Sequence, residues 1–315
     1  MSDSEEEVTK VLNGVLIKRH LSELGRNAEG TGFGYLKLEI ENREVENISE
    51  ELSTYQQLKF IHLSGNKLNN LSVLSKLPNI LRLELANNKI TALDYFNNEE
   101  TFTNLQFLDV SKNFIRNLVP IKPPKLVHLI LNYNEIINTE LFLGHPSLRV
   151  LELRGNKINN ITGLKSMPRL EELYLCENNI SFFDTLEELP SLKKLHLRKN
   201  NISNLEEEKL PDLPELTYLN LRENQVKDIN KLANLKKFQK LERMIVSNNP
   251  CWTSQELVKE ILIFMPRVSC VNKQVVTEVD QEVSYQLASE RFMVAEAARK
   301  EAERKAQEAL DKENS

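Results

Sequence analysis

The stretch Leu170-Glu171-Glu172-Leu173-Tyr174-Leu175-Cys176-Glu177-Asn178-Asn179-Ile180 carries leucines at its first, fourth and sixth positions, asparagine at its ninth and isoleucine at its eleventh. The same frame recurs on both sides of it. Upstream it reads Leu58/Ile61/Leu63/Asn66/Leu68, Ile80/Leu83/Leu85/Asn88/Ile90, Leu105/Leu108/Val110/Asn113/Ile115, Leu126/Leu129/Leu131/Asn134/Ile136 and Leu148/Leu151/Leu153/Asn156/Ile158. Downstream it reads Leu192/Leu195/Leu197/Asn200/Ile202, Leu216/Leu219/Leu221/Asn224/Val226 and Leu241/Met244/Val246/Asn249. Successive asparagines are 22, 25, 21, 22, 22, 22, 24 and 25 residues apart. A phrase kept that closely is a structural period.

Each part of the phrase has a physical reason. The alternating Leu-x-Leu is a short strand with one buried face, and stacked copies make a parallel sheet. The asparagine side chain both donates and accepts, so a ladder of Asn66, Asn88, Asn113, Asn134, Asn156, Asn178, Asn200, Asn224 and Asn249 can satisfy buried backbone groups where each coil turns inward. A further apolar residue, thirteen positions after the first (Leu71, Leu93, Leu118, Ile161, Phe183, Leu205, Ile229), fills the core from the convex side; Thr139 is the exception. Proline precedes the strand at Pro78, Pro124, Pro146, Pro168, Pro190 and Pro214, where its fixed φ ends the convex turn. These features predict an α/β leucine-rich-repeat solenoid: a curved parallel sheet, convex helical turns, terminal caps and a long C-terminal α-helix.

Three segments follow. Residues 1–34 read as an N-terminal helical cap and lead-in, because Val8, Val11, Leu12, Val15 and Leu16 have amphipathic helix spacing. Residues 35–275 read as the solenoid with its C-terminal cap. Its first coil is degenerate, with Arg43 where asparagine belongs, and its last elements are a helix around Leu257–Met265 and a truncated strand near Val271. Residues 276–315 read as an extended charged helix, striped by Val276, Val279, Val283 and Leu287 before five basic and five acidic residues from Arg299 to Glu313.

Composition narrows function. Only 9 of 315 residues are glycine, which disfavours phosphate-cradling loops, nucleophile elbows and hairpin-rich folds. A net charge of −5 gives no general pull toward nucleic acid or anionic membrane. Three scattered cysteines, an acidic start and the lack of a spanning apolar run predict a soluble protein of a reducing compartment, the cytoplasm.

The chain offers no catalytic or metal-binding pattern, so the expectation is a non-enzyme without cofactor, small-molecule substrate, nucleic acid or membrane. The five histidines lie in different repeats, and no pair has metal-ligand spacing. Cys176 near His196 admits a nucleophile-and-base reading, but a small residue on the open sheet face is the simpler one. Gly30, Gly32 and Gly34 precede a strand instead of following one, so they miss the dinucleotide fingerprint and read as a flexible lead-in.

The concave face carries the functional signal. Third, fifth and seventh residues of each phrase point away from the core and stack in columns about 4.8 Å apart. They run from acidic (Glu39, Glu41, Glu84, Asp109, with Phe60, His62 and Phe107) through Ile130 and Val150 to a basic and aromatic half. That half holds Arg154, Tyr174, Lys194, His196, Arg198, Tyr218, Arg222 and Arg243, interrupted by Glu152 and Glu172. Arginine and aromatic residues are enriched at interface centres, so Phe60, Phe107, Arg154, Tyr174, Lys194, His196, Arg198, Tyr218, Arg222 and Arg243 are the candidate partner-binding residues. A solvated sheet whose charges pair with their neighbours is the plainer alternative.

Several passages resemble a known family. Gly34-Tyr35-Leu36-Lys37-Leu38-Glu39, Leu151-Glu152-Leu153-Arg154-Gly155-Asn156, Leu219-Asn220-Leu221-Arg222, Asn248-Asn249-Pro250-Cys251 and Phe264-Met265-Pro266 are similar to the leucine-rich repeat proteins of ciliary radial spokes. The resemblance implies a scaffold subunit of the third radial spoke, near its head, in the axoneme of a motile cilium or flagellum. Its implied partners are other axonemal proteins, held through the concave face and the tail helix. The 22-residue period also resembles the subfamily that regulates a protein phosphatase, whose stricter spacing the 24- and 25-residue repeats break.

Overall fold

The computed structural model describes residues 10–26, 31–253 and 257–313. In chain order these form β1 (Val11–Leu12), α1 (Gly14–His20), β2 (Leu21–Arg26), β3 (Phe33–Glu39) and β4 (Asn47–Ile48). One three-residue strand per coil follows: β5 (Phe60–His62), β6 (Arg82–Glu84), β7 (Phe107–Asp109), β8 (His128–Ile130), β9 (Val150–Glu152), β10 (Glu172–Tyr174), β11 (Lys194–His196), β12 (Tyr218–Asn220) and β13 (Arg243–Ile245). Then come α2 (Leu257–Phe264), β14 (Cys270–Val271), β15 (Gln274–Val275) and α3 (Glu278–Glu313). A 13-stranded sheet runs in sequence order from β2 to β15 without β4, parallel throughout except at its two ends. Leu151, Leu173, Leu195 and Leu219 stand in register across it and are fully buried.

The asparagine ladder works as its chemistry demands. Asn88 Nδ2 donates to Leu63 O of the preceding coil and Leu85 O of its own, both at 3.0 Å, while its Oδ1 accepts from Leu68 N at 2.9 Å. All nine ladder asparagines are buried. In the first coil, where Arg43 replaces the ladder residue, Asn66 Oδ1 takes the amides of Arg43 and Val45, both at 3.1 Å. Thr139, the exception on the convex side, is fully buried and donates Oγ1 to Asn160 O at 3.3 Å.

The residue just before each ladder asparagine is left-handed in all nine coils: Gly65, Asn87, Lys112, Tyr133, Gly155, Glu177, Lys199, Glu223 and Asn248. Seven of these nine are not glycine. The corner therefore rests on strained ordinary residues, held by the asparagine bonds beside them.

The ends differ from the reading of the sequence. Val8 lies outside the described residues. Val11 and Leu12 form a strand paired with Asn47 and Ile48, and the helix is confined to Gly14–His20, with Leu12 and Ile17 buried and Val15 exposed. The lead-in is no loose tether: β2 and β3 pair antiparallel, Gly25 opposite Gly34, and close the edge of the sheet. Gly30 falls outside the described residues.

At the C-terminal end, Val258, Ile261 and Leu262 of α2 are buried, as the cap requires. α3 is 36 residues, about 54 Å at 1.5 Å per residue. Its expected stripe is partly out of place, because Val279 is exposed while Ser284 is buried. The Arg291 guanidinium grips Glu260 of α2 with two bonds of 2.6 Å, and residues 292–307 beyond it are nearly all exposed.

Candidate functional site

Strand pairing places the expected concave residues side by side. Phe60, Arg82, Phe107, His128, Val150, Glu172, Lys194, Tyr218 and Arg243 make one column, and His62, Glu84, Asp109, Ile130, Glu152, Tyr174, His196, Asn220 and Ile245 the next. Their outward side chains are half-buried or exposed, apart from Asn220 and Ile245, while the intervening leucines are buried. Two ring clusters form. The Arg82 guanidinium lies 3.6 Å from the centre of the Phe107 ring, which meets His128 edge-on at 5.0 Å. Further along, Tyr174 stacks on His196 at 4.4 Å, and His196 leans on Tyr218 at 4.8 Å. Phe60 is the column neighbour of Arg82 on the side away from Phe107.

Arg82 and His128 were not among the expected contact residues. A strict count of third positions finds both, whereas a block reading of charge passes over two basic groups in an acidic half.

Charges on this face are extensively paired. Lys37 and Glu39 meet at 2.7 Å, which raises the lysine and lowers the carboxyl. His128 Nε2 donates to Glu152 Oε1 at 2.8 Å, and that bond holds the Glu152 carboxyl below its usual value. Burial pushes the Glu172 carboxyl up, but bonds from Lys194 (2.8 Å) and the Tyr174 hydroxyl outweigh it and leave it lowered. Arg154 Nη2 donates to Glu177 at 2.7 Å and Arg198 Nη2 to Glu223 at 3.0 Å. Arg243 is exposed and has no side-chain partner among the described residues.

The chemistry of these groups suits recognition. Burial lowers the His196 imidazole to about 4, so it is neutral near pH 7 and acts as a stacking plate. Burial pushes the Cys176 thiol up, away from the thiolate that a nucleophile needs. Linear spacing hid one convergence: Glu41, His62 and Glu84, from three successive coils, bring a ligand atom each within 4.8 Å of one another. His62 Nδ1 is 3.3 Å from Glu84, whose carboxylate also takes Arg82, so these groups form a charge network.

A parallel sheet one strand per coil, an internal asparagine ladder and an open face of half-exposed rings and paired charges define a repeat protein built for protein–protein interaction. The leucine-rich repeat family model matches residues 128–302, more than half of the chain, and the chain belongs to that family. It is similar to leucine-rich repeat-containing protein 23 of Bos taurus, 32% identical over 145 residues that cover 44% of this chain and 40% of the relative. The Homo sapiens protein of the same name is 30% identical over 156 residues, 48% of this chain and 43% of its own. The chain thus matches about two fifths of the length of these curated relatives. Among solved structures, a Listeria monocytogenes internalin superposes over 82% of this chain and 88% of its own, with a TM-score of 0.50 at 22% identity, a likeness of fold alone. No helix among the described residues is long and apolar enough to cross a membrane.

Proposed function

We propose that this chain is a non-enzymatic scaffold subunit of the ciliary radial spoke, placed in the third spoke near its head, and that it holds axonemal partner proteins on its concave sheet and along its tail helix. The observation that carries the reading is the open face itself: ring clusters at Phe107 and at Tyr174–His196–Tyr218 stand half-exposed on a rigid sheet. Rigid, pre-placed aromatic and arginine side chains lose little entropy on binding, which is what a permanent contact requires. Similarity to leucine-rich repeat-containing protein 23 supports the axonemal setting. The three segments at 1–34, 35–275 and 276–315 then act as cap, binding body and outrigger.

The test is detergent extraction of ciliated cells expressing the tagged chain. Wild-type protein is expected to stay with the insoluble axoneme, and the double charge reversal Arg198→Glu/Arg222→Glu to shift into the soluble fraction. Equal retention of that folded double variant would remove the concave face from the reading. Soluble wild-type protein would remove the axoneme.

A further inference from the structure

Along the seventh-position column, two of the three arginines meet an acid that comes from the corner of the following coil. Arg154 is held by Glu177 through Nη2 at 2.7 Å and Nε at 3.2 Å. Arg198, two coils on, is held by Glu223 at 3.0 and 3.3 Å. Both glutamates occupy the left-handed corner just before a ladder asparagine, with φ of 56° and 57°. Arg222 lies one coil beyond Arg198 in the same column, but the corner that follows it is Asn248, φ 58°, which carries no charge.

The pairing rule therefore breaks at Arg222. Its guanidinium turns back to Glu223 of its own coil, an acid already bonded to Arg198: the buried Nε lies 3.0 Å from Glu223 Oε1 but is not aligned for a hydrogen bond. Arg198 Nε is likewise buried without a partner. Two guanidinium groups share one carboxylate, and a second carboxylate is the missing element. Beside this place lie the Tyr174–His196–Tyr218 rings, and the exposed Arg243 adds a further positive charge on the neighbouring strand.

We infer that the C-terminal part of the concave face is a seat for an acidic, aromatic-bearing segment of a protein partner, whose carboxylate takes the corner position over Arg222 that Glu177 and Glu223 occupy over Arg154 and Arg198. An arginine offers five donors in a planar fork, so one incoming Asp or Glu can accept two of them from Arg222 while a neighbouring ring lies on the tyrosine–histidine stack. Nucleic acid fits less well. Glu152, Glu172, Glu177 and Glu223 are interleaved with the basic groups and would face a phosphate backbone.

This inference rests on the concave face being the binding face, and it names the chemistry of what binds there. The test pans a random peptide display library against the full chain, then titrates the most enriched peptide, fluorescently labelled, by anisotropy. The expected peptide contains Asp or Glu beside an aromatic residue, and its affinity falls as salt is raised. Arg222→Gln is expected to weaken it about tenfold, the cost of a charge-assisted bidentate contact. Asn248→Glu supplies the missing carboxylate from within, at a corner where Glu177 and Glu223 already sit; it should fold normally and weaken the peptide to a similar degree. Glu223→Gln frees both guanidinium groups and should tighten binding roughly threefold, a gain that misfolding cannot imitate. Enriched peptides without acidic residues, affinity untouched by Asn248→Glu, or stronger binding of an oligouridylate than of the peptide would each overturn it. Those results, with axonemal retention still dependent on the concave face, would sink the acidic seat and leave the scaffold reading standing.

Discussion

The Nδ2 amide of Asn178 donates to Leu153 O, one coil earlier, at 2.9 Å, while its Oδ1 accepts the amide of Ile158 at 3.0 Å. One buried side chain thus stitches two coils together. Replacing Asn178 with alanine leaves the buried Ile158 N–H unsatisfied and takes one of two donors from each of Leu153 O and Leu175 O, which keep Asn156 and Asn200. The loss costs on the order of 1–3 kcal/mol. Chemical denaturation of the full chain checks this. A loss below about 0.5 kcal/mol, the range of an ordinary surface change, would deny the ladder its role.

The corner residue ahead of each ladder asparagine offers a second test. Lys112 is exposed and left-handed at φ 53°. Lys112→Gly relieves the backbone but loosens the unfolded chain, and the two effects, each about 1 kcal/mol or less, nearly cancel. Lys112→Val forces a β-branched residue into that region and should cost roughly 1–3 kcal/mol relative to glycine. Equal melting curves for the two variants would contradict a left-handed corner.

Gly163 sits where two coils touch. A Cβ there would come within 1.7 Å of the carbonyl oxygen of Thr139, a backbone atom with nowhere to go. Gly163→Ala should cost at least about 2 kcal/mol, while Gly34→Ala, which meets only the flexible side chain of Gln57, should cost less. Thermal unfolding of the pair decides it.

Acid should loosen the molecule through buried His145 and half-buried His196. His196 titrates at about 4 when folded, and burial also lowers His145, which Ser147 N and Pro123 O hold from either side. The unfolded chain takes up these protons near pH 6.5, so below that value the unfolded state binds more protons than the folded one. Their contribution is complete above pH 6.5 and is lost as the pH falls toward about 4 for His196. His196→Phe keeps the stack with Tyr174 and Tyr218 and should flatten the dependence of stability on pH across that window. An unchanged slope in the variant would contradict the assignment.

The coils were legible because their determinants are local and repeat: Leu173 and Leu175 must face inward together, and Asn178 must follow three residues later. The ends were not. Leu21-Ser22-Glu23-Leu24-Gly25-Arg26 has no strand alternation, and only its pairing with Phe33–Glu39 makes it β-structure. Val11 and Leu12 suit either a helix or a strand until Asn47 and Ile48 arrive beside them. On the concave face the columns followed from the period, but who pairs with whom did not. The Arg154–Glu177 and Arg198–Glu223 contacts join residues more than twenty apart, through a left-handed corner that composition does not signal.

The central claim is that a protein partner lies against the open sheet, and site-specific photocrosslinking in ciliated cells addresses it directly. A benzophenone amino acid placed at Tyr218, in the concave column, is compared with one at Phe182, exposed and away from the strands. The account predicts a discrete adduct with an axonemal protein from position 218 and none from position 182. An adduct from position 182 alone would contradict it.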